Sequence, residues 1–98
     1  MKIETLWLTE AEASIAITSI LNVNMANETV EFLDIGNIED VEIIFDMINS
    51  IDDGYFGEAD IEGNIPFFQS FLEEGYDKYY AFFIKSYFCG LIKIKKEV

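Results

Sequence analysis

Three acidic side chains near the middle of the chain are spaced as they would be along one face of a helix. Glu39, Glu42 and Asp46 are separated by three and four residues. A helix would therefore hold their carboxylates in a row, about 4.5 and 6 Å apart along its axis. Such a row resembles the phosphates of one nucleic-acid strand, and its chemistry would be to occupy a groove lined with basic side chains. The alternative interpretation is an ordinary solvated helix face, which is normally charged.

A second acidic stretch follows a turn signal. Asp52 and Asp53 precede a glycine, and Glu58, Asp60 and Glu62 then alternate with period two. A short edge strand or an extended loop would place the last three on one face, about 6.5 to 7 Å apart. A solvated edge strand is again the alternative, because edge charges prevent aggregation. A calcium-binding loop is not indicated, since the third, fifth and twelfth positions counted from Asp52 carry no side-chain oxygen.

Together, the two stretches supply the candidate partner-binding residues. These are Glu39, Glu42, Asp46, Asp52, Asp53, Glu58, Asp60 and Glu62. No catalytic residue, metal ligand or cofactor is predicted, because the chain has no histidine, the usual general base and the commonest metal ligand. The single cysteine, Cys89, has no histidine to activate it and is expected to be a buried core thiol.

The charge of the chain is strongly segregated. Nineteen acidic residues against six lysines give a net charge of -13, and residues 3–77 hold 18 of the acidic residues and no lysine. Solubility of a small domain requires a net charge of only about 2 to 8, and a larger one lowers stability through self-repulsion. This charge excludes direct binding of nucleic acid and disfavours an anionic membrane surface. The expected partner is a basic protein.

Alternating strands and helices must position these acidic residues. Thr9 and Glu12 match a capping box at the start of the first helix, and Asn37 is a competent N-cap for the second. The predicted elements in chain order are a strand over 3–8, a helix to about residue 21, a loop over 22–27, a strand over 29–35, a helix over 38–50, the short edge strand or extended loop over 57–63, a helix opening at 64–66 and capped by Gly75, strands within 76–88 and a final strand over 91–95.

The sum is one α+β domain over residues 1–98, with about four strands in an antiparallel or mixed sheet and two to three helices packed on one face. The first helix should turn Ala13, Ile17, Ile20 and Leu21 toward the core, and the final strand should point its lysines outward. Trp7 and most aromatic residues of 76–88 are expected in the core, whereas the tyrosines among them could form a protein contact. The small basic patch that guards an edge strand would contain Lys85, Lys93, Lys95 and Lys96.

The sequence also predicts a compartment. The N-terminus lacks the apolar stretch of a secretory signal. The longest apolar run, Tyr79 to Ile84, is six residues, where a membrane span needs about 20. A lone cysteine cannot form an internal disulfide, which fits a reducing environment. The cytoplasm is therefore expected, and the host cytoplasm if a phage encodes the chain.

In size and acidity the chain resembles the small acidic inhibitors that phages and mobile elements encode against host defence, including anti-CRISPR and anti-restriction proteins. It is similar in the same way to the acidic immunity proteins that neutralise nuclease toxins. The resemblance is one of class, without a shared motif. It implies a non-enzymatic inhibitor whose partner is a CRISPR effector, a restriction enzyme or a nuclease toxin. The alternative is a small adaptor or homodimeric structural module that binds through an aromatic surface.

Overall fold

Four strands and three helices make up residues 1–22, 29–73 and 75–96, which the computed structural model describes. They are β1 (Lys2–Leu6), α1 (Glu10–Leu21), β2 (Val30–Asp34), α2 (Val41–Ile51), α3 (Glu58–Leu72), β3 (Lys78–Ile84) and β4 (Tyr87–Lys95). The strands form one antiparallel sheet in the order β1-β4-β3-β2. The predicted α+β class is confirmed. The loop predicted over 22–27 lies, apart from Asn22, outside the described residues.

Both faces of the sheet are covered by helices. Successive residues of a strand point to opposite faces, and on β3 Ala81 and Phe83 join the core cluster that contains α2 and α3. Phe82, between them, packs in a second cluster with Ala16 of α1. The prediction of two to three helices on one face is therefore met by α2 and α3, and α1 lies on the opposite face.

The first helix begins as predicted, and of its predicted apolar stripe Ile20 packs in the cluster of Ala16 but Leu21 does not. The backbone N–H of Thr9 donates to Glu12 Oε1 at 2.9 Å and that of Glu12 donates to Thr9 Oγ1 at 3.1 Å, which confirms the capping box. Ala16 is fully buried, whereas Leu21 is 61% exposed. Five residues rotate a helix by about 140° beyond a full turn, so Leu21 points away from the line on which Ala16 packs.

The second helix starts later than predicted. Its N-cap is Asp40, whose Oδ1 accepts a hydrogen bond from the backbone N–H of Glu42 at 3.0 Å. Asn37 is therefore not the cap, and Glu39 lies before the helix. The apolar positions Val41, Ile44, Phe45 and Ile48 are buried, as their spacing predicted.

The edge strand or extended loop predicted over 57–63 is wrong, because α3 runs continuously from Glu58 to Leu72. Pro66 lies inside this helix, not near its first turn. The apolar positions Ile61, Ile65 and Phe68 keep a helical spacing across the proline, and all three pack in the cluster that α2 shares. Burial of this stripe outweighs the local signals of glycine and proline.

The last two strands form a hairpin, and the predicted interruption between strands at Gly90 is wrong. Lys85 and Ser86 form its two-residue turn with φ values of 51° and 66°, the conformation that fits the twist of a tight hairpin. The strand preference of 76–88 is confirmed for β3 and the start of β4. Gly90 does not end a strand, because β4 continues through it after a bulge at Cys89.

The lysine expected on the outer face of the final strand is buried. Lys93 is 1% exposed, and its Nζ donates to Phe71 O at 3.3 Å, lies 3.5 Å from Glu4 Oε2 and stands 4.3 Å from the centre of the Phe71 ring. A hydrogen bond with Tyr76 and the nearby Lys2 and Lys93 lower the pKa of Glu4. Because β4 is an interior strand, the predicted edge-guarding basic patch is wrong.

Candidate protein-binding surface

Acidic side chains from α2 and α3 converge on one groove. Glu42 and Asp46 are four residues apart on α2, and Glu58 and Glu62 are four apart on α3. With Ile61 between them, the four carboxylates line a shallow groove of about 260 Å³. All four side chains are exposed. We name the set Glu42, Asp46, Glu58 and Glu62 the acidic groove.

The opposite directions of α2 and α3 create this groove. The start of α2 lies beside the end of α3, where Ile38, Glu39, Gln69 and Glu73 line another depression of about 310 Å³. The middle of α2 therefore meets the start of α3. Glu39 is thereby separated from the acidic groove, so the predicted row of Glu39, Glu42 and Asp46 is wrong in its first member. Sequence spacing gave no signal for Glu73, which the end of α3 brings to Glu39.

The acidic groove has no cation of its own. Within the described parts of the chain, the lysine–carboxylate ion pairs join Lys2 and Lys93 to Glu4, on the sheet. Like charges four residues apart on a helix destabilise it by about 0.2–0.5 kcal/mol per pair. Glu42 and Glu58 recover part of this cost because each lies in the first turn of its helix, near the positive end of the dipole. The groove is left as a concentrated negative surface open to a cationic partner.

Asp52, another predicted binding residue, has a structural role in the fold. It is the C-cap residue of α2, and its Oδ2 accepts a hydrogen bond from the backbone N–H of Phe88 at 2.8 Å. This bond joins the end of α2 to the start of β4. Asp53 is the next residue in the turn, and its side chain is exposed.

Replacing Asp52 with alanine should lower the free energy of unfolding by about 1.5 kcal/mol, because the partly buried N–H of Phe88 loses a charged acceptor. Urea unfolding followed by circular dichroism measures the change. Asp53→Ala removes the same charge from an exposed position and should change stability by less than about 0.5 kcal/mol. Equal effects of the two variants would show that the hydrogen bond contributes nothing.

Asp60 belongs to a different surface. Because 58–62 is helical, Asp60 points about 200° away from Glu58, and the predicted row of Glu58, Asp60 and Glu62 is wrong in its middle member. Asp60 lines a pocket of about 480 Å³ together with Trp7. Trp7 follows β1, is 44% exposed and is not the core residue that the sequence predicted.

The tyrosines of 76–88 do not form a continuous surface. Tyr79 is 7% exposed and Tyr87 is 70% exposed, while Tyr76 and Tyr80 are half-buried. Tyr79 therefore belongs to the core, and Tyr87 is the most exposed of these four tyrosines. Three further exposed aromatic rings lie outside this segment, on Trp7, Tyr55 and Phe67.

The remaining groups with metal-binding or nucleophilic chemistry are the carboxylates and the thiol of Cys89. Among the described residues, no three acidic or cysteine side chains are placed to hold a metal ion. Cys89 is half-buried at the bulge of β4. Burial is the main reason that the pKa of its thiol is raised to about 11, and the neighbouring Glu12 is the second. The nucleophilic thiolate is therefore scarce at neutral pH.

No helix within the described ranges has the length and apolarity that a membrane span requires. The chain matches no model of a known protein family, no characterised protein and no solved structure at a significant level.

Proposed function

We propose that the chain is a non-enzymatic inhibitor that binds a basic nucleic-acid-binding protein by presenting the acidic groove in place of DNA or RNA. The observation that carries the proposal is the convergence of Glu42, Asp46, Glu58 and Glu62 on one groove, with no lysine paired to them among the described residues. Their charges lower the stability of the domain, so a role in binding accounts for them better than solubility does.

The rigidity of the groove supports this mechanism. Successive carboxylates lie about 6 Å apart along each helix, and packed helices lie about 8–10 Å apart. The two rows are held by a buried contact, since the rings of Phe45 on α2 and Phe68 on α3 lie 4.3 Å apart. A basic cleft that binds phosphates would therefore meet fixed negative charges over a comparable area. Association would be fast, and its rate would fall steeply with salt.

The partner that fits best is a CRISPR effector or a restriction enzyme, and the chain would then act in the host cytoplasm as a phage or mobile-element anti-defence protein. A nuclease toxin offers a similar basic cleft, and immunity against such a toxin is the second form of the same mechanism. The inhibitor in either case competes with nucleic acid for the cleft and carries out no reaction.

The partner can be isolated by pull-down from a bacterial lysate, with elution by increasing salt and identification by mass spectrometry. At 0.5 M salt the Debye length falls to about 4 Å, so a partner bound through the acidic groove should be released. It should also be released by competing DNA or RNA. Partners that resist both treatments, or recovery of the chain alone, would contradict the proposal and favour the adaptor or homodimer.

Charge reversal then tests the groove itself. Glu58→Lys combined with Glu62→Lys should weaken binding of the isolated partner about 100-fold, because two attractive contacts become repulsive. The matched control is Glu10→Lys combined with Glu31→Lys, which changes the net charge equally at exposed sites on α1 and β2. The control should lower the affinity for the partner by less than about threefold. Equal losses in the two folded variants would show that net charge matters and the groove does not.

A further inference from the structure

A second depression, on a different side of α3 from the acidic groove, has a composition of its own. It is lined by Trp7, Tyr55, Phe56, Asp60 and Asn64 and has a volume of about 480 Å³, larger than the acidic groove. It combines aromatic rings with one carboxylate and one amide. We name this set the aromatic pocket.

Its two exposed rings are held in place from below. Trp7 is 44% exposed, yet its ring lies 5.5 Å from that of Phe68 and 6.4 Å from that of Phe88. Tyr55 is 50% exposed, and its ring lies 4.8 Å from Phe56 and 5.1 Å from Phe88. Each ring is therefore partly exposed and also packs against aromatic rings of the core. Binding to such a site costs little side-chain entropy.

The backbone at Trp7 is in an uncommon conformation. Its φ is 72°, in the left-handed region that bulky residues rarely adopt and that costs about 1–3 kcal/mol. This conformation follows the last residue of β1 and places the indole over α3, against Phe68. Contacts with the core must therefore hold the strained residue in place.

The charge of the aromatic pocket selects a cation. Asp60 is exposed and no lysine lines the pocket. The start of α3 offers backbone N–H groups that would attract an anion, but Glu58 and Asp60 both lie in its first turn and make the site negative. The faces of aromatic rings also carry negative potential and attract cations.

We propose that the aromatic pocket binds the guanidinium group of an arginine side chain from the partner protein. The planar cation would stack on the rings of Trp7 and Tyr55 and donate hydrogen bonds to the carboxylate of Asp60. Asn64 also lines the pocket; its Nδ2 donates to Asp60 O at 2.7 Å, and its amide oxygen Oδ1 is a hydrogen-bond acceptor. A lysine ammonium would pair with Asp60 but has no plane to stack.

This inference rests on the proposed function only for the source of the arginine, since a cleft that binds phosphates is rich in arginine. The aromatic pocket would thus add a specific anchor to the general attraction of the acidic groove. Buried arginines and aromatic residues commonly dominate the binding energy of an interface.

The test uses the whole chain and N-acetyl-arginine amide as the probe. Trp7 is the only tryptophan, so its fluorescence and its indole N–H signal in nuclear magnetic resonance report directly on the pocket. The arginine probe should shift both signals in a saturable way. The citrulline analogue, which has the same shape without the charge, should bind about tenfold more weakly. Equal binding of citrulline or of N-acetyl-lysine amide, or no saturable shift, would overturn the assignment.

Variants separate this inference from the proposed function. Asp60→Asn should weaken binding of the arginine probe about tenfold. Glu62→Gln, two residues further along α3 in the acidic groove, should leave this binding unchanged within about twofold. Equal effects of the two would overturn the pocket, since general charge would then explain binding. If the arginine probe does not bind but Glu58→Lys with Glu62→Lys still weakens binding of the partner, only the assignment of the aromatic pocket is overturned. If the arginine probe binds but the two reversals leave the affinity for the partner unchanged, only the proposed function is overturned.

Discussion

Replacing Gly90 with alanine is expected to lower the free energy of unfolding by about 3 kcal/mol or more. A Cβ at this position would overlap the backbone carbonyl oxygen of Leu6 and lie 2.5 Å from Leu8 Cδ1. The Leu8 side chain could rotate, but the carbonyl belongs to β1, the neighbouring strand of the sheet. Relief of the overlap requires β1 to move away from β4. Urea unfolding measures the loss, and the fluorescence of Trp7, directly after β1, should change with it.

The matched control is Gly63→Ala on α3. A Cβ at Gly63 meets nothing within 4 Å, and alanine is favoured over glycine inside a helix by about 0.5–1 kcal/mol. This variant should therefore be more stable than the natural chain. A Gly90→Ala protein as stable as the natural one would contradict the close approach of β1 to β4.

The elements that the sequence predicted well carry their signals locally. The capping box of Thr9 and Glu12 satisfies its hydrogen bonds within one turn. The apolar spacing of α2 is regular over three turns and required no knowledge of its neighbours. Strand preference likewise identified β3 and β4, because their aromatic and branched residues favour a pleated surface.

The elements that it predicted wrongly are those decided by distant contacts. Residues 57–63 alternate as an edge strand would, yet Ile61 packs against the shared core as part of a helix. Lys93 alternates as an exposed residue would, yet Glu4 and the carbonyl of Phe71 give its ammonium buried partners. Neither partner is near in sequence, so a local pattern could not indicate burial of the charge.

The candidate site was predicted by residue type but not by arrangement. The eight acidic residues were identified from their helical spacing, their alternation and a turn signal, and four of them form the acidic groove. The other four lie outside it, because the packing of α2 against α3, and not spacing along the chain, determines which carboxylates meet. The aromatic pocket gave no sequence signal, since Trp7, Tyr55 and Asp60 lie on three separate segments and the left-handed φ of Trp7 has no local cause.

The two adjacent phenylalanines of α3 should differ sharply in their importance. Phe68→Ala is expected to lower the free energy of unfolding by about 4 kcal/mol, a large part of the 5–15 kcal/mol that is typical of a domain. Phe68 is fully buried, and its ring lies 4.3 Å from that of Phe45 and 5.5 Å from that of Trp7. Its loss leaves a cavity between the two helices that form the acidic groove and removes the support of the indole.

Phe67→Ala is the control, because Phe67 is 58% exposed on the same helix and should change stability by less than about 0.5 kcal/mol. Urea unfolding followed by circular dichroism gives both values, and Trp7 fluorescence should shift only in Phe68→Ala. Equal losses in the two variants would contradict the orientation of α3. A selective loss at Phe68 would mean that one buried ring supports both the acidic groove and the aromatic pocket, since its contacts with Phe45 and Trp7 join the two.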